Sequence, residues 1–165
     1  MNKREILDLF DYNYWANKKL LEAAQRANES QFIAPADFPF GGLRGTLVHT
    51  FDAELSWRLL LEKGLMSFDE TSEAGFPTLA SLEKRWDEEQ ITMRSYLGTL
   101  KDEQLAGLVK YTTDSGIKRE RVLWHCLFHL VNHGTQHRSE AAAILTKLGQ
   151  SPGDMDFTLF LNERK

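Results

Sequence analysis

Hydrophobic residues recur every three or four positions along four long stretches of this chain, as they do on one face of an α-helix. In the first stretch the repeating positions are Ile6, Phe10, Tyr14, Asn17, Leu21 and Ala24. Asn17 is the polar member of this stripe, so we expect it to be hydrogen-bonded inside the protein or to face a polar pocket. The pattern predicts helices near residues 2–27, 43–63, 78–97 and 119–148.

Residues that start or stop helices stand between these stretches. Asn2 and Thr78 are suited to N-cap positions, and Gly64 and Gly149 are suited to the residue just after a helix. Two prolines and two glycines make residues 35–42 a loop, and a polar loop is predicted from Leu65 to Pro77.

The segment 108–122 interrupts the helical pattern and is predicted to form a small β-hairpin or an extended loop. The tail from Met155 to Leu161 carries Phe157, Leu159 and Phe160 and is expected to pack back on the helices. Four amphipathic helices with almost no strand predict an all-α four-helix bundle. Its length of 165 residues and the absence of a repeat or linker predict a single domain, 1–165.

Composition narrows the function classes. The formal net charge is −4 and no basic block stands out, which argues against nucleic-acid binding. No stretch approaches the roughly 20 apolar residues of a membrane span, and the first residues lack the apolar centre of a signal peptide. Cys126 is the only cysteine, so an internal disulfide is impossible, and we expect a buried, inert thiol. These observations predict a cytoplasmic protein.

Four histidines follow one another at intervals of four residues in the last predicted helix: His125, His129, His133 and His137. Two imidazoles at positions i and i+4 can reach one metal ion. Relative to the apolar side of this helix, His137 lies about 40° away, His133 about 80°, and the other two about 120° and 160°. His133 and His137 are therefore the pair that the bundle interior can recruit most easily.

His49, near the start of the second helix, is the natural third ligand. Three histidines with an open position form the ligand set of a catalytic zinc site. The alternative is a histidine-lined helix face with isolated hydrogen bonds and no metal. Di-iron chemistry is not indicated, because no Glu stands three residues before any histidine.

Three short stretches also carry a family likeness: Tyr14-Trp15-Ala16-Asn17, His49-Thr50-Phe51-Asp52-Ala53-Glu54 with Trp57, and the run from His129 to Arg138. On these residues, and over nearly the whole chain, the sequence resembles the DinB/YfiT-like superfamily of metal-binding four-helix bundles. It departs from the usual family run Arg-Gly-Gln, having Arg138-Ser139-Glu140 instead.

The resemblance implies a metal at one end of the bundle interior, held by His49, His133 and His137, and often a homodimer. His129 is then a neighbour of the site and not a ligand. A dimer would also cover a second apolar strip on the last helix, formed by Trp124, Phe128 and Val131.

Characterised relatives include enzymes that use low-molecular-weight thiols such as bacillithiol or mycothiol. We therefore expect a metal-dependent thiol S-transferase acting on a small-molecule substrate, with zinc, or else nickel, iron or manganese, as the ion. Asn17, Trp57 and Arg138 are the candidates for lining its cofactor pocket. Two alternatives stay open: metal-dependent hydrolysis, and a non-catalytic metal-binding or regulatory domain.

Overall fold

The computed structural model describes residues 1–64, 71–113 and 115–164, and in them the predicted all-α bundle is confirmed. The elements in chain order are α1 (Lys3–Ala24), α2 (Glu29–Ile33), α3 (Leu43–Lys63), α4 (Leu79–Thr99), α5 (Asp102–Leu105), β1 (Leu108–Thr112), β2 (Lys118–Val122), α6 (Leu123–Lys147) and α7 (Phe157–Glu163), with a 3-10 turn at Glu73–Gly75. The first part of the predicted polar loop, residues 65–70, lies outside the described residues.

The predicted helix-capping residues perform that function. The Asn2 side chain accepts a hydrogen bond from the Glu5 backbone N–H at 2.9 Å, and the Glu5 carboxylate accepts one from the Asn2 N–H at 2.8 Å. Thr78 caps α4 in the same way, and Gly64 ends α3 in the left-handed conformation, with φ 68°. These reciprocal bonds satisfy backbone donors that a helix leaves unpaired at its first turn.

The predicted end of the first helix at Ala27 is wrong. The helix stops at Ala24, and a short helix, α2, begins at Glu29. Asn28 is the N-cap of α2 and has an extended backbone, with ψ 168°, which cannot continue α1. The apolar stripe also ends at Ala24, and residues 25–28 connect α1 to a helix that begins at its own cap.

The predicted start of the last helix at Arg119 is also wrong. Residues 118–122 form β2, which pairs antiparallel with β1 in the register from Leu108↔Val122 to Thr112↔Lys118. The hairpin option for this segment is thus confirmed. Cross-strand hydrogen bonds occupy the backbone groups that a first helical turn would need, so α6 begins only at Leu123.

The core joins all four long helices and the tail. Phe160 of α7 is buried, and its ring centroid lies 5.9 Å from that of Tyr12, so the tail packs back as predicted. Val131 is also buried in this core, whereas Phe128 is 45% exposed, so the Trp124-Phe128-Val131 strip is not one continuous surface. Among the described helices, none combines the length and hydrophobicity needed to cross a bilayer.

Candidate metal centre

Three histidines from two helices meet between α3 and α6. The Nε2 atom of His133 lies 3.3 Å from that of His49 and 3.1 Å from that of His137. His49 stands in the second turn of α3, while His133 and His137 are one turn apart on α6. The predicted histidines are therefore brought together by the packing of two helices distant in sequence.

These distances fit a divalent metal ion. Tetrahedral zinc with Zn–N bonds of about 2.0–2.1 Å places its ligand nitrogens about 3.4 Å apart. One candidate ligand atom from each of the three histidines can be chosen so that all lie within 4.8 Å of one another. Three imidazole ligands suit zinc, nickel, iron and manganese alike, so the ligand set does not select the metal.

Glu140 fixes the orientation of one histidine. Its Oε2 lies 2.8 Å from Nδ1 of His137, and both side chains are largely withdrawn from solvent. An ionised carboxylate only accepts hydrogen bonds, so Nδ1 of His137 carries the proton and donates it. The Nε2 atom then presents its lone pair to the other histidines, which is the tautomer that binds a metal. In the sequence Glu140 stands out only as a departure from the family run. Its i+3 spacing from His137 also places the two side chains next to each other on a helix.

Phe40 forms one wall of the cluster. Its ring stacks on His49 with centroids 3.6 Å apart and an interplanar angle of 10°, and it meets His137 edge-on at 5.2 Å. This contact holds the His49 ring in place and removes apolar surface from water beside the cluster. Phe40 lies in the loop before α3, where no periodic pattern indicated it.

The surroundings of His133 and His49 favour the neutral form of these two rings. Burial is the main cause that lowers the pKa of His133, to about 4, and the neighbouring His137 and His49 lower it further. Burial and His137 also lower the pKa of His49. At neutral pH these two rings are therefore unprotonated, as metal ligands must be. The Nδ1 atom of His133 is buried without a hydrogen-bond partner among the described residues.

The other two histidines of the series stand outside this group. His129 is exposed, and its ring centroid lies 5.7 Å from that of His133, so it neighbours the site as expected. His125 is a further turn away and contacts Trp124. Cys126 is buried, as predicted, and burial raises the pKa of its thiol.

The three predicted pocket residues are not brought together. Arg138 is buried and donates hydrogen bonds to the Oδ1 atoms of Asn13 and Asn17, at 2.5 and 2.9 Å. Trp57 instead contacts His129, with ring centroids 5.4 Å apart. Asn17 and Arg138 thus belong to a polar network inside the bundle, whereas Trp57 lies beside the histidine series.

Further buried polar groups, which no sequence pattern indicated, lie near this network, and Arg138 acts electrostatically on one of them, Glu54. Glu54 accepts a hydrogen bond from the Tyr14 hydroxyl at 2.7 Å. Burial is the largest cause that raises the pKa of Glu54, to about 7. Arg58 and Glu89 form a buried ion pair between α3 and α4. Each of these groups pairs a donor with an acceptor or a cation with an anion, whereas the three imidazoles bring like nitrogen atoms together.

Comparison with known proteins agrees with the fold. The family model described as "DinB family" matches residues 1–165. The protein DinB of Bacillus subtilis (strain 168) is 25% identical over 164 residues, which cover 93% of this chain and 91% of that protein. A match that spans the whole chain shows the relationship. The chain therefore belongs to the DinB family.

Proposed function

We propose that this protein is a metal-dependent enzyme that transfers a low-molecular-weight thiol, such as bacillithiol, to an electrophilic small molecule. The observation that carries the proposal is the convergence of three histidines: Nε2 of His133 lies 3.3 Å from Nε2 of His49 and 3.1 Å from Nε2 of His137, and this cluster of described residues contains no carboxylate. Such a set leaves coordination positions open, as catalytic zinc sites do. The family resemblance supports thiol chemistry over other uses of an open site.

The protein side chains have distinct tasks in this scheme. His49, His133 and His137 hold the ion, Glu140 keeps His137 in the binding tautomer, and Phe40 shields the His49 ring. When bound, the divalent ion supplies Lewis acidity that lowers the pKa of a thiol. In the transfer, the sulfur forms a bond to an electrophilic carbon, and the leaving group departs with the electrons of its bond. The thiol proton is released to solvent.

Hydrolysis has less support because it needs a free carboxylate as general base. The described carboxylates that act on the histidines are those of Asp52 and Glu140. Asp52 accepts hydrogen bonds from the backbone and side chain of Thr71, and Glu140 is bonded to His137. A homodimer and a cytoplasmic location stay predictions.

The test is a screen of metal-loaded protein with bacillithiol, mycothiol, glutathione and coenzyme A against electrophiles such as chlorodinitrobenzene. We expect conjugation with at least one thiol, loss of the rate on chelation, and its return when zinc is added. His137→Ala should be inactive, whereas the control Arg85→Ala, which breaks only an exposed pair with Glu88 on α4, should keep the rate. A metal-loaded protein that turns over none of the thiols would contradict the proposal.

A further inference from the structure

A cavity of about 360 Å³ lies between the β-hairpin, α3 and α6. Its lining residues are Trp57, Tyr111, Arg121, His125, Cys126 and His129. The volume is in the range that holds a small organic molecule. Of these residues, only Trp57 is a candidate pocket residue from the sequence.

Aromatic rings form the walls of this cavity. Trp57 meets Tyr111 edge-to-face, with centroids 5.6 Å apart and an interplanar angle of 73°. It meets His129 at 5.4 Å and 62°. The rings are thus held at steep angles to one another around the cavity, so a planar ligand can lie against one face while meeting the edge of another. This arrangement favours an aromatic or otherwise planar apolar group.

The charge of the cavity favours an anion. Arg121 is exposed on β2, and its guanidinium donates a hydrogen bond only to the Glu120 carbonyl, at 2.9 Å, among the described residues. No described carboxylate lies within ion-pair distance of it, and none of the lining residues is acidic. A guanidinium with free N–H groups matches the two oxygens of a carboxylate.

The position of the cavity relates it to the histidine cluster. His129 lines the cavity, and its ring lies 5.7 Å from that of His133, one turn along α6. A ligand seated against Trp57 with its carboxylate at Arg121 would therefore lie in a cavity whose His129 wall is one helical turn from His133.

We propose that this cavity binds aromatic carboxylates and, resting on the proposed function, that it is the place of the electrophilic substrate. The substrate class is then an aromatic or planar electrophile that carries a carboxylate. Trp57 and Tyr111 hold its ring, and Arg121 holds its negative charge.

The experiment is a calorimetric titration of the metal-free, full-length protein with benzoate, with its neutral amide benzamide, and with acetate. We expect benzoate to bind at least about tenfold more tightly than either other ligand. Arg121→Gln should remove the preference for benzoate over benzamide, and Trp57→Leu should weaken both. Lys110→Gln is the matched control, because Lys110 is a cation on the same hairpin that pairs with Glu120. It should leave benzoate binding unchanged.

No binding of benzoate, equal binding of benzoate and benzamide, or equal losses in Arg121→Gln and Lys110→Gln would each overturn the inference. Arg121 is exposed, so its variant is expected to fold. The comparison of Arg121→Gln with Lys110→Gln therefore tests the proposed carboxylate site even if Trp57→Leu does not fold. The titration needs neither thiol nor metal. Its failure is therefore distinguishable from failure of the thiol-transfer proposal, which the activity screen tests.

Discussion

Two groups of buried or half-buried polar side chains lie within this bundle, and they differ in how their hydrogen-bonding capacity is used. In the histidine cluster, the Nε2 atoms of His49 and His137 both point to Nε2 of His133. The second group, the Glu54 network, consists of Tyr14, Glu54, Arg58 and Glu89. In it the Tyr14 hydroxyl donates to Glu54, and Arg58 faces the carboxylate of Glu89. Convergence of like groups leaves lone pairs that need a cation or a further hydrogen-bond donor, whereas complementary pairs satisfy one another. The first arrangement suits ligand binding and the second suits architecture.

The largest expected effect concerns metal binding at the histidine cluster. His49→Ala should abolish tight binding of zinc, because two imidazoles on one helix rarely hold a divalent ion alone. Metal content of the purified protein and competition with a chromophoric chelator measure this effect. His125→Ala, which changes the same residue type outside the cluster, should bind metal as the wild type does. Undiminished metal content in His49→Ala would contradict a metal site shared by α3 and α6.

Substitutions in the Glu54 network should change the free energy of unfolding and not the affinity for metal. Arg58→Ala breaks the buried pair with Glu89 and leaves an uncompensated carboxylate, which should lower the free energy of unfolding by about 3–5 kcal/mol. Arg85→Ala is the control, since its pair with Glu88 is exposed and should contribute below about 1 kcal/mol. Urea unfolding of the metal-free proteins gives both values. Equal losses in the two variants would contradict the distinction.

Glu54 should make the protein less stable as pH rises, unlike most carboxylates. Its pKa is raised from 4.5 to about 7, so the unfolded chain loses the proton first. Below pH 4.5 the protonated Glu54 makes its full contribution to the free energy of unfolding. That contribution is lost as the pH rises to about 7, a change of about 3 kcal/mol.

Glu54→Gln removes this titration while keeping the side-chain shape. The difference in unfolding free energy between variant and wild type should shift by about 3 kcal/mol in favour of the variant over that pH interval. Denaturant unfolding of metal-free protein at a series of pH values measures the shift, and the histidine contributions cancel in the difference. A difference independent of pH would show that Glu54 is ionised throughout the interval.

The smallest of these effects is expected at Glu140. Glu140→Ala should weaken metal binding by about 10–100-fold, because His137 loses the acceptor that fixes its tautomer. Glu140→Gln keeps an acceptor oxygen and should lose less. Competition with a chelator at fixed pH ranks the metal affinities of the wild type and the two Glu140 variants. An affinity in Glu140→Ala equal to that of the wild type would show that the hydrogen bond does not influence the metal.

Much of the fold could be read from short-range patterns. The Pro- and Gly-containing loop before Leu43 and the stop at Gly64 predicted the full extent of α3, and the caps at Asn2 and Thr78 were recognisable from residue type. The errors occurred where two local signals competed. The chain leaves α1 after Ala24 and starts α2 with its own cap at Asn28, and strand pairing delayed α6 until Leu123. Neither outcome follows from hydrophobic periodicity, because each depends on which backbone hydrogen bonds form.

The sequence by itself determined the helices, the family and the three histidines, since i and i+4 spacing fixes which side chains share a helix face. Only the tertiary structure decided what surrounds them. The packing of α3 on α6 set the distances between His49 and His133, and the loop before α3 brought Phe40 onto His49. Arg138 and Trp57 looked equivalent in the sequence, yet Arg138 is buried against Asn17 and Trp57 lines a cavity. Contacts between distant segments depend on how helices are oriented around one core, and that orientation is not encoded in any local repeat.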